Sequence, residues 1–139
     1  MNPAPFCLIG IVNVTPDSFS DGGKYIDPRN AVAHGLRLLD EGAGMLDLGA
    51  ESTRPFAEPV PEGEEIARLM PVVARLREQR PDAVLSVDTL KAGTARAALE
   101  GGADIINDVS ACVADPALLD VLAEYKPGYV LMHSQGSPR

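Results

Sequence analysis

The sequence predicts an α/β fold built on a parallel sheet, and three observations carry that reading. Short runs rich in Val, Ile and Leu alternate with amphipathic stretches of helical period along the whole chain. The first run, residues 6–12, is apolar or Gly at every position, as expected of a strand buried on both faces of a parallel sheet. Polar residues then stand at the C-terminal end of each run: Asn13, Gly49 leading into Glu51, Asp88, Asn107-Asp108 and His133. Parallel α/β proteins assemble their sites at that end of the strands.

Each element has its own local reason. The strand at 6–12 passes into polar turn chemistry, Asn13, Thr15-Pro16-Asp17, Ser18, Ser20 and Asp21-Gly22-Gly23. The resulting loop reaches about Asp27, far beyond the usual strand-to-helix connection, and loops that long are more often functional. Asp27-Pro28 reads as a helix cap followed by Pro at the first helical position. Val32, Leu36, Leu39 and Ala43 give the helical stripe, Gly42 and Gly44 end it, and His34 lies off it as a solvated histidine. Residues 45–49 form a second strand, followed by the polar stretch Glu51-Ser-Thr-Arg-Pro55. Glu62, Glu64 and Glu65 suit a helix N-terminus, with Ile66, Leu69, Met70, Val73 and Leu76 as its stripe. Pro71 falls inside it and predicts a kink or a restart.

Residues 83–89 are the third strand, and 91–100 an Ala-rich helix closed by Gly101-Gly102. The fourth strand is 103–109. Asp115-Pro116 repeats the cap-and-Pro pattern and opens a helix through Tyr125, with Leu118, Leu122 and Tyr125 on one side. Lys126-Pro127-Gly128 stops it, 129–133 is the fifth strand, and 134–138 begins another loop.

Composition narrows the class. With 139 residues, the expectation is a single domain spanning 1–139. Twelve basic and 20 acidic residues leave a net charge of −8, a poor basis for nucleic-acid binding. An anionic substrate must therefore be held by local cations, helix N-termini or a metal. Cys7 and Cys112 form no CxxC pair, and Cys7 sits in an apolar strand, so a reduced, cytoplasmic protein is expected. No basic residue precedes the first apolar run and no cleavage site follows, so it is not read as a signal peptide. No stretch approaches the length of a membrane span.

Strict alternation of strand and helix leaves two architectures, an open doubly wound sheet and a (β/α)8 barrel. No G-x-G-x-x-G follows the first strand, which weakens the first. Polar residues fed from every strand end suit a barrel mouth. The expected fold is therefore a (β/α)8 TIM-barrel type with about the first five strands and four helices in this chain. Alternation along strands then places Ile9, Ile11 and Asn13 on one face, as it does Ser86 with Asp88, Ile105 with Asn107, and Val130 with Met132. Asn13, Asp88, Asn107 and Met132 converge at the mouth if those faces point inward. Asp47, between two leucines, needs a partner. A carboxylate can take two parallel N–H bonds and an Asn amide both gives and accepts, so the set suits a planar heterocycle with amide-like edges. Met132 could floor a flat ring; His133 has the chemistry of a general base, but its opposite parity favours a structural role.

These residues resemble the dihydropteroate synthase family. Residues 13–23 look like its first loop signature, and Glu51-Ser-Thr-Arg-Pro55 like its second. Ser86-Val-Asp-Thr89 with Lys91, Ile106-Asn-Asp108, and Leu131-Met-His133 with Gln135-Gly136 follow in the family's order. The resemblance implies condensation of a dihydropterin methyl diphosphate with 4-aminobenzoate, releasing diphosphate. It implies that Asp88 and Asn107 hold the pterin with Met132 packed nearby, and that Asn13 positions a Mg2+-bound diphosphate. Thr53 and Pro55, with Phe19, line the aminobenzoate side. Asp21 would stabilise a cationic intermediate and Arg54 would pair with an anionic group. It also implies a homodimer when full length, with no nucleic-acid or membrane partner. The alternatives are a non-condensing pterin-binding module of methyltransferase type, and an inactive short form. Ala50 and Phe56 stand where the family has Gly. The family's further pterin-binding aspartate, shared lysine and diphosphate-binding arginine come from later strands, so residues 1–139 alone are expected to be catalytically incomplete.

Overall fold

The structure is a computed structural model that describes residues 6–16, 27–52 and 57–132. Strands and helices alternate throughout: β1 Ile9–Asn13, α1 Pro28–Asp40, β2 Met45–Gly49, α2 Glu62–Gln79, β3 Leu85–Asp88, α3 Ala92–Glu100, β4 Ile105–Asp108, α4 Leu118–Tyr125 and β5 Gly128–Leu131. The five strands are all parallel and lie in the order β1-β2-β3-β4-β5. A doubly wound sheet reverses its strand order at a switch point. This one never reverses, and α1 contacts α2, α2 contacts α3 and α3 contacts α4 in one layer. That is the arrangement of a (β/α)8 barrel wall.

The core lies between sheet and helices. Val12, Leu46, Leu48, Leu85, Val87 and Ile106 point outward from the strands onto Leu69, Val72, Val73 and Leu76 of α2 and Leu118 of α4. The opposite, concave face is open. This corrects the expectation that the first strand is dry on both sides: Gly10 and Val12 are buried, but Ile9 and Ile11 are 54% and 64% exposed. The strand also begins at Ile9, leaving Phe6 and Cys7 exposed, while Cys112 is buried and both thiols are free. A barrel strand is dry inside only when strands opposite cover it, and five strands do not close the ring.

Helix ends follow their capping chemistry. Asp27 Oδ1 accepts the Arg29 N–H at 2.9 Å, with Pro28 at the start of α1. Gly42, just past that helix, has φ +110°, a conformation that favours glycine. His34 is half-buried rather than solvated, with Nδ1 2.9 Å from Arg37 Nη2. Pro71 does not restart α2, which is continuous from Glu62 to Gln79. Pro71 and Ala67 are both exposed, so water can take the Ala67 carbonyl that Pro71 cannot serve. The helix expected from Asp115 begins at Leu118, and Asp115 Oδ1 accepts the N–H of that helix's N-cap residue Ala117 at 3.1 Å. Its Oδ2 accepts the Ala92 N–H at 2.9 Å, capping α3, whose own N-cap Lys91 supplies no side-chain cap. The fifth strand ends at Leu131, and His133 lies outside the described residues. Among the described residues no helix is long and apolar enough to cross a membrane.

Candidate functional site

Register decides which side chains meet, because paired residues of parallel strands point to the same face. Asn13, Gly49, Asp88, Asn107 and Val130 form one row across all five strands. Ile11, Asp47, Ser86, Ile105 and Gly128 form the row beneath. Both rows lie on the concave face. Asn13, Asp88 and Asn107 are therefore brought together as expected, with Gly49 leaving a gap between the first two. A Cβ at Gly49 would lie 3.7 Å from Asp88 Oδ2. Met132 is two residues past Val130, so alternation returns it to the same face one step higher, and its N–H donates to the Asp108 carbonyl at 3.3 Å.

The partner that Asp47 needs is Asn107, whose Nδ2 donates to Asp47 Oδ2 at 3.1 Å. That bond fixes the rotation of the Asn107 amide and so decides where its carbonyl oxygen faces. Asp47 Oδ1 and Ser86 Oγ, side by side in the lower row, are buried without a hydrogen-bond partner among the described residues. An unmet buried polar atom costs about 1–3 kcal/mol, and native structures carry few of them. Asp88 is pushed up to about 6, first by burial, then by the negative charges of Asp47, Glu65, Asp108 and Glu51. Every cause acts in the same direction, the signature of a carboxylate lacking its complement.

Asp108, the next residue after Asn107, faces the other way and is fully satisfied. Its Oδ1 accepts the Ser110 N–H and hydroxyl, both at 2.8 Å, and its Oδ2 accepts the Cys112 N–H at 2.6 Å and the Tyr129 hydroxyl at 3.0 Å. Burial raises its pKa, but these bonds outweigh burial and the net shift is downward. They hold Ala111 and Cys112 at φ +53° and +63°, the left-handed region that L residues rarely adopt.

A third cluster joins loops to helices. Lys91 Nζ lies 2.7 Å from Glu51 Oε2 and 2.7 Å from Glu65 Oε2. Glu65 is 1% exposed. Beside the cluster is a cavity of about 190 Å3 lined by Glu51, Ser52, Glu65, Asp88, Thr89 and Val109. The sequence reading missed Glu65 as a buried acid, although a signal was there: it shares a helical stripe with Leu69, Val72, Val73 and Leu76. Lys91 was noticed only as part of a motif. Phe19, Asp21, Thr53, Arg54 and Pro55, with Phe56, lie outside the described residues. Ala50 is fully buried, and its carbonyl accepts from Arg68 Nη1 at 3.0 Å.

The structure is an incomplete (β/α)8 barrel wall with amide and carboxylate side chains on its inner face. The chain belongs to a family described as pterin binding enzyme, whose model matches residues 9–139. The particular relatives are dihydropteroate synthases. That of Mycobacterium leprae (strain TN) is 50% identical over 133 residues, 96% of this chain and 46% of that protein. That of Bacillus subtilis (strain 168) is 47% identical over 128 residues, 92% of this chain and 45% of that protein. The structure of Xanthomonas albilineans dihydropteroate synthase with 4-aminobenzoic acid matches with a TM-score of 0.84 at 52% identity, covering 95% of this chain and 48% of that one. The same organism's enzyme in complex with 7,8-dihydropteroate gives 0.79 at 49% identity, covering 93% and 46%. The chain spans about half the length of the relatives it matches.

Proposed function

We propose that this chain is the pterin-holding part of a dihydropteroate synthase. The observation that carries the reading is the upper inward row, in which the half-buried Asp88 carboxylate and Asn107 amide stand side by side on the open concave face. A pterin's pyrimidine edge presents N–H groups next to a carbonyl, the complement of a carboxylate beside an amide. Asp88 and Asn107 bind that edge, and Met132 packs near the ring. Ionised Asp88 is the accepting form, and a ligand N–H would lower its pKa again.

The dihydropterin carries its diphosphate on a methylene attached to an electron-rich ring. Departure of diphosphate leaves a cationic carbon, which the amine of 4-aminobenzoate attacks. No protein nucleophile is required. Asp21 stabilises the cation and Arg54 pairs with an anionic group. Phe19, Thr53 and Pro55 line the aminobenzoate side. Asn13 offers an exposed amide oxygen at the end of β1, a hard ligand that fits Mg2+. Bound there, the ion would neutralise diphosphate charge. The same reading takes the protein as a single barrel domain, cytoplasmic, and homodimeric when full length.

The test is titration of 4-aminobenzoate against the protein, purified as the cell makes it and loaded with dihydropterin methyl diphosphate and Mg2+. A synthase binds both substrates and releases diphosphate. Pterin binding without response to aminobenzoate identifies the non-condensing module instead. Binding of neither overturns both readings. Residues 1–139 alone are expected to give no product.

A further inference from the structure

We propose that Lys91 is a positioning residue that clamps Glu51, at the start of the second loop, to the buried Glu65. The inference rests on the synthase reading for its kinetic consequence, but its geometry stands alone. Three elements meet at one ammonium: Glu51 follows β2, Glu65 belongs to the first turn of α2, and Lys91 stands just ahead of α3. Glu65 is buried within the first turn of α2, so it supplies the fixed end. Glu51 is a third exposed and is the end being held. The Lys91 N–H donates to Thr89 Oγ1 at 3.2 Å, one residue past Asp88, so the clamp is tied to the strand that carries the heterocycle's carboxylate. Arg68 reinforces the same point from α2, through the Ala50 carbonyl and an ion pair with Glu64.

The simpler view is that Lys91 only neutralises Glu65. One ammonium and one buried carboxylate would satisfy that need. Here the ammonium is shared equally with a second carboxylate, at the same 2.7 Å, so the group carries a net negative charge. Both glutamates act upward on Asp88. For neutralising Glu65 alone, the second acid is not needed. Its place makes sense as a tether: Glu51 leads directly into Ser52-Thr53-Arg54-Pro55, the stretch assigned to the aminobenzoate side. Holding Glu51 and, through it, Ser52 fixes the point from which the sequence enters that stretch.

Three variants separate tether from neutraliser, each measured in the protein as the cell makes it. Glu51→Ala keeps the Lys91–Glu65 pair; it should leave the melting temperature unchanged, raise KM for 4-aminobenzoate about tenfold, and change KM for the pterin diphosphate less than about twofold. Lys91→Met should raise the same KM and lower the melting temperature, because Glu65 is left unpaired. Lys91→Met with Glu65→Gln should recover the melting temperature and keep the raised KM. If KM recovers with stability, or both KM values move together, Lys91 is only a neutraliser and the proposal fails. If the wild type makes no dihydropteroate, the synthase reading fails. The clamp is then judged by hydrogen exchange at the Glu51 and Ser52 amides, which Glu51→Ala should accelerate; unchanged exchange overturns it.

Discussion

Replacing Asp88 by Asn should stabilise the protein at neutral pH while removing pterin binding. In the folded chain the carboxyl is pushed from 3.8 to about 6 by burial and by four neighbouring acids. At about 1.4 kcal/mol per tenfold, that rise corresponds to about 3 kcal/mol. Water reaches the side chain through the open concave face, and screening reduces the figure to about 1–2 kcal/mol. The folded state holds the proton more tightly than the unfolded chain. Stability is therefore highest with Asp88 protonated, below pH about 4, and falls as pH rises through about 6. An Asn has no such dependence. Urea unfolding followed by circular dichroism should give nearly equal stabilities for wild type and Asp88→Asn at pH 4. By pH 7.5 the variant should be ahead by about 1–2 kcal/mol. A gap of the same size at both pH values would mean that packing, not charge, sets the difference. A variant less stable at pH 7.5 would refute the assignment of Asp88 as an unmet carboxylate.

Asp108 behaves oppositely. Its net depressed pKa contributes stability above about pH 4 that is lost as pH falls through the folded value. Asp108→Ala should cost about 2–4 kcal/mol in urea unfolding at pH 7, because it orphans the Cys112 N–H and leaves the Tyr129 hydroxyl only the weak Cys112 Sγ partner. Ala111→Gly should add about 1 kcal/mol in the same assay, since φ +53° costs Ala more than Gly. Arg77→Met should lose about 2–3 kcal/mol: its guanidinium bonds the carbonyls of Gly102, Ala83 and Pro81 and the Asp104 carboxylate, and joins the end of α2 to β3 and β4.

Much of this was legible in the residues. Five strands follow from apolar runs closed by turn chemistry, and the inward row follows from a period of two that admits no slip without exposing Leu46, Leu48 and Leu85. What escaped depends on contacts between distant segments. Asp115 reads as a cap for its own helix, and while one oxygen serves the start of that helix the other caps α3, through Ala92 23 residues earlier. Glu65 reads as a dipole-pairing acid in a first turn, yet points inward because its partner, Lys91, is supplied by another βα unit. The openness of Ile9 and Ile11 escaped because a local pattern reports which side chains seek burial, not whether strands exist to cover them.

The contrast between Asp88 and Asp108 shows how parity sorts chemistry in such a barrel. Both are strand-end carboxylates on adjacent strands, and nothing in their composition separates them. Asn107 and Asp88 are in register, so Asp108 must face the helices, where N–H groups of its own loop turn back to meet it. Asp88 faces the lumen, where the neighbouring side chains are Asp47, Ser86 and Asn107, a set that offers little donation in return. The outward acid is satisfied by protein and stabilises the fold; the inward one has no donor among the described residues. Under the proposed function, a substrate with paired N–H groups would complete the set, and affinity for it would draw on the same electrostatic deficit that lowers stability in its absence.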